Sequence, residues 1–75
     1  MNKSKIKKDF LFHLELFYRN FGNQWTINDF PEAIKKHKDF LLGYLKELEQ
    51  LGIVKVSEDP EKFTIKELPS KIIHF

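Results

Sequence analysis

The apolar period of this chain changes at a single residue, Gly52. Before it, Leu41, Leu45 and Leu48 recur at helical spacing, flanked by Tyr44 and Leu51. After it, Ile53-Val54-Lys55-Val56-Ser57 is β-branched, and Lys62-Phe63-Thr64-Ile65-Lys66 alternates polar and apolar as a half-buried strand does. Glu58-Asp59-Pro60-Glu61 lies between the two runs and reads as a turn. Glycine at C′ closes a helix because it enters the left-handed region at little steric cost. A helix over Lys38–Leu51 therefore feeds directly into a hairpin, and the fold class is α+β.

The residues upstream add two helices and a short strand. Ile6, Phe10, Leu14, Phe17, Tyr18 and Phe21 form one apolar stripe on a helix over Ser4–Phe21, with Ser4 as its N-cap and Gly22-Asn23 as its end. Phe12 and Leu16 lie roughly opposite that stripe, one turn apart. A helix apolar on two sides is covered on both, here by the C-terminal tail or by a second copy of the chain. Gln24-Trp25-Thr26 is a short extended piece. A second helix is expected over Asn28–Lys36, capped by Thr26 or Asp29, with Pro31 in its first turn and Phe30, Ala33 and Ile34 inward. Lys35-Lys36-His37-Lys38 then reads as a tight turn into the third helix. The tail, residues 68–75, ends Ile72-Ile73-His74-Phe75, too apolar to be left in solvent.

At 75 residues the chain is one small domain, whose core depends on eight Phe, one Trp and two Tyr. The absence of cysteine excludes disulfides, thiolate zinc sites and cysteine nucleophiles. No apolar run reaches the roughly 18 residues that span a bilayer. The basic start, MNKSKIKKDF, has no apolar stretch behind it that would make a signal peptide, so a cytoplasmic location is expected. His13, His37 and His74 are scattered, without an HExxH pattern or carboxylates at metal-ligand spacing, and no glycine-rich phosphate loop is present. No enzyme activity, metal or cofactor is expected. Net charge is only +2, from 13 basic and 11 acidic residues, so charge placement decides the partner.

The stretch LKELEQLGIVKVSEDPEKFTIKE, Leu45 to Glu67, resembles the second half of winged helix-turn-helix regulators, where a pattern LKxLExxGxV ends the recognition helix and enters the wing. WTINDFPEAI, Trp25 to Ile34, is similar to that family's strand and second helix. Size and lysine-rich composition make the chain most like the small stand-alone members of archaeal plasmids and viruses. The resemblance implies three helices, a short strand and a C-terminal β-hairpin wing. It also implies double-stranded DNA as partner, with a role in transcription regulation.

Within that frame, the lysine-rich turn Lys35, Lys36, His37 and Lys38 would abut phosphates. With Leu41, Leu45 and Leu48 inward, Asp39, Gly43, Lys46 and Gln50 face outward at 100° per residue, and Leu42 lies at the border. Lys55, Lys62 or Lys66 would reach DNA along the wing strands. Lys3, Lys5, Lys7 and Lys8 form a second basic cluster fit to touch flanking phosphates. The third helix departs from the family in exposing no arginine or asparagine, and the wing tip is acidic at Glu58, Asp59 and Glu61. The expected function is a sequence-specific DNA-binding regulator. A winged-helix protein-interaction module and a weakly specific architectural DNA-binding protein are the alternatives. Homodimerisation is expected through Phe12, Leu16, Ile72, Ile73 and Phe75.

Overall fold

The computed structural model describes residues 2–59 and 61–74. Helix α1 spans Lys3–Asn20. Its cap is Asn2, whose Oδ1 accepts the Lys5 amide at 3.1 Å. Ser4, the expected cap, lies inside the first turn, because Asn2 captures a free amide earlier in the chain. Ile6, Phe10, Leu11 and Leu14 are buried on the inner face, and Phe17 is half-buried. Tyr18 and Phe21 share the angle of that face, yet they are 36% and 73% exposed. The helix outruns the core beneath it, and Phe21 meets the edge of Trp25, 6.5 Å between ring centroids.

Strand β1 is Gln24–Thr26, followed by a 3-10 turn over Ile27–Asp29. The Asp29 carboxylate accepts the Thr26 amide at 2.8 Å and the Thr26 hydroxyl at 3.3 Å, which closes this turn instead of capping the longer helix expected to start here. The single helix expected over Asn28–Lys36 is broken. Phe30 is extended, at φ −86° and ψ 157°, because the ring of the following proline disfavours helical geometry at the residue before it. Helix α2 therefore covers only Glu32–Lys35. The break redirects the side chains: Ile27, Phe30 and Ile34 are buried, whereas Ala33, expected inward, is exposed.

Helix α3 spans Lys38–Gln50 and buries Leu41, Tyr44, Leu45 and Leu48. Gly52 ends it at φ +82°. The Gly52 amide donates to the Glu49 carbonyl and the Ile53 amide to the Leu48 carbonyl, both at 3.0 Å. These two bonds satisfy carbonyls that a helix end otherwise leaves free. Strands β2, Val54–Val56, and β3, Lys62–Ile65, complete a three-stranded antiparallel sheet in the order β1-β3-β2. Trp25 and Val56 stand opposite Phe63, and Val54 opposite Ile65, so these side chains share the inner face. The intervening residues, Lys55, Lys62 and Thr64 among them, take the outer face.

Phe10 is the hub of the core. Its ring lies 4.9 Å from Phe30 and 6.3 Å from both Tyr44 and Phe63, which joins α1 to the second helical region, to α3 and to the sheet. The described part of the molecule is thus α+β, with three helices and a three-stranded antiparallel sheet. No described helix is long and apolar enough to cross a membrane.

The tail folds back onto α1. A 3-10 turn over Pro69–Lys71 buries Pro69, and the Ser70 amide donates to Glu15 Oε1 at 2.9 Å. Hydrogen bonding from Ser70, helped by Arg19 and opposed by desolvation, holds the Glu15 carboxyl below its ordinary value. A carboxyl depressed in the folded state contributes stability above its unfolded pKa and loses it as pH falls through the folded value. The Ser70 amide proton resonance is therefore expected to titrate with a midpoint below the ordinary glutamate value of about 4.3. Glu15→Gln should abolish that step. A midpoint at or above the ordinary value would contradict the docked tail.

Candidate nucleic-acid interface

Asp39, Gly43, Lys46 and Gln50 are all exposed along one face of α3. Leu42, at its border, is half-buried and packs against the core. Two neighbours flank this face. On the side of Glu49, the carboxylate accepts the Val56 amide at 2.9 Å and ties β2 to the helix. On the side of Phe40, Tyr44 and Glu47 lies the start of α1. Lys3 Nζ sits 5.9 Å from the Phe40 ring centroid and Lys7 Nζ 5.0 Å from that of Tyr44. Lys7 also reaches Glu47 at 3.9 Å. Cation–π contacts of this kind hold the ammonium groups beside the helix face while leaving them hydrated.

The two basic clusters of the sequence therefore converge. A shallow depression lined by Asn2, Lys5, Asp9, Lys36 and His37 joins the start of α1 to the turn before α3. The sequence alone leaves Lys3 and Lys7 on a separate arm and does not reveal this juxtaposition. Its signal is matched spacing: Lys3 and Lys7 are one helical turn apart, as are Phe40 and Tyr44.

The turn itself differs from a row of free ammonium groups. Lys35 belongs to α2 and pairs with Glu32 at 3.2 Å. Lys38 opens α3 and pairs with Glu61. Glu61 also accepts from Asn28 Nδ2 at 3.4 Å, and its carbonyl accepts the Ile27 amide at 3.2 Å. This acid thus fastens the hairpin loop to the start of α3 and neutralises one of the lysines expected to meet phosphate. Among the described residues, Lys36 and Lys46 have no ion-pair partner. His37, half-buried, precedes α3 without a side-chain cap bond, which leaves amides of the first turn free to take an anion.

Lys55 and Lys62 project from the outer face of the sheet, beside Thr64, rather than towards the core. Lys66 is likewise exposed. The loop between β2 and β3 is short and internally bonded. The Ser57 hydroxyl donates to the Asp59 carbonyl at 2.8 Å, and the Glu61 amide to Asp59 Oδ1 at 3.1 Å.

The residues expected at a dimer contact separate into three groups. Phe12, Leu16 and Ile72 are 58%, 41% and 44% exposed. Ile73, by contrast, is half-buried against the chain's own core, because the tail turn on α1 carries it there. Phe75 lies outside the described residues. No protein-family model, curated protein or solved structure matches the chain.

Proposed function

We propose that this chain is a winged helix-turn-helix protein that binds double-stranded DNA and regulates transcription, with α3 as the groove helix. The observation that carries the reading is the gathering of Lys3, Lys7 and Lys36 around the exposed α3 face that carries Lys46. Lysines placed around a helix that fits the major groove would hold it there by phosphate contacts. The element order and the strand order β1-β3-β2 agree with such a domain, with β2 and β3 as its wing.

Gly43 supports the same face. A Cβ built there meets nothing within 4 Å, so the fold itself has no need of a glycine in mid-helix. Glycine costs about 1 kcal/mol against alanine at such a position. A partner that approaches the α3 backbone closely gives that cost a use.

The chemistry of the face favours backbone contact over base reading. Lys46 and Gln50 are its long polar side chains, while Asp39 opposes phosphate and Gly43 reads no base. Duplex binding with weak sequence preference is therefore the second reading, and it uses the same surface. Titration of cognate and random duplexes at several salt concentrations separates the two. Discrimination by orders of magnitude marks a regulator, and equal binding with a steep salt slope marks a coat.

A further inference from the structure

The outer face of α1 carries the one arginine of the chain, and it carries it in a symmetrical pattern. Asp9, Phe12, Leu16 and Arg19 fall on a single stripe at 100° per residue. Read along the helix they are acid, apolar, apolar and base, spaced by three, four and three positions. The centre of the pattern is level with Leu14, which points the other way and is fully buried. Phe12 and Leu16 are 58% and 41% exposed, and the tail that docks on α1 leaves them so. The Asp9 and Arg19 side chains are 47% and 57% exposed, and among the described residues each pairs with a neighbour on its own helix, Lys5 and Glu15.

We infer that α1 pairs with α1 of a second copy, antiparallel about a two-fold axis at the level of Leu14. In that register Phe12 packs on the partner's Leu16, and Asp9 meets the partner's Arg19. Each contact occurs twice, as an isologous interface requires. A parallel pairing would set Asp9 against Asp9 and Arg19 against Arg19, so the charges select the antiparallel arrangement. Exposed pairs within one helix are weak, so exchanging or sharing them costs little. Arginine suits the role because its planar fork can bond Glu15 of its own chain and Asp9 of the other together. One helix pair is a small interface, so association belongs in the micromolar range. The inference does not depend on DNA binding.

Sedimentation equilibrium of the full chain, from micromolar to millimolar concentration, tests it. The expected result is a monomer–dimer equilibrium. Leu16→Glu should weaken it about 30-fold or more while the circular dichroism spectrum stays unchanged. Asp9→Arg and Arg19→Asp should each weaken it about 5-fold. The double variant Asp9→Arg/Arg19→Asp should restore it, since the charges again face their opposites. A monomer at every concentration overturns the inference. A dimer indifferent to Leu16→Glu overturns the surface, and a double variant no better than the singles overturns the antiparallel register.

Discussion

Phe10→Ala is expected to remove about 3–5 kcal/mol of folding stability. The ring is fully buried and lies against Phe30, Tyr44 and Phe63, so its loss opens a cavity where α1, α3 and the sheet meet. Those neighbours belong to different elements and cannot all close on the space at once. A domain of this length has roughly 4–11 kcal/mol in total, so the variant stands close to unfolding at ambient temperature. Urea titration followed by circular dichroism reads the effect as a large fall in midpoint at unchanged slope. Phe21→Ala is the informative control. Phe21 belongs to the same apolar stripe in sequence but is 73% exposed, so its loss should stay within about 0.5 kcal/mol. Equal losses from the two variants would mean that α1 is packed along its whole length.

Lys36→Ala combined with Lys46→Ala should weaken duplex binding on the order of 10–100-fold at low salt and flatten the salt dependence by about 1.8, near 0.9 for each phosphate no longer neutralised. The pair Lys35→Ala and Lys38→Ala should cost less, since Glu32 and Glu61 already hold those ammonium groups. Glu61→Gln points the other way. It releases Lys38 and removes an acid from beside the turn, so binding should tighten while the fold loses no more than about 1 kcal/mol. Fluorescence anisotropy on one labelled duplex ranks all of these variants. An equal loss from the two lysine pairs would show that the intramolecular ion pairs do not protect DNA binding from the missing charge.

Leu41, Leu45 and Leu48 before Gly52, and the alternating run from Lys62 after it, define helix and strand through neighbours a few residues away. Helix α3, its glycine end and the hairpin follow from that local pattern. Tyr18 and Phe21 have the right helical angle, but where the core stops beneath them depends on the position of β1 and is not written in α1. The break at Phe30 is available in principle, because Pro31 restricts the residue before it. The outward face of α3, with Asp39, Gly43, Lys46 and Gln50, follows from counting turns. Its flanks do not. The approach of Lys3 and Lys7 to Phe40 and Tyr44, and the pairing of Lys38 with Glu61, join residues distant in sequence, where composition alone gives no direction.

The most direct test of the central proposal is the affinity of the unmodified chain for a labelled duplex, measured across a salt series. The proposal predicts binding at low salt that weakens steeply and log-linearly as salt rises, with a slope of about −3 if Lys3, Lys36 and Lys46 each neutralise a phosphate while Lys7 stays with Glu47. No binding at low salt, or an affinity indifferent to salt, would contradict it.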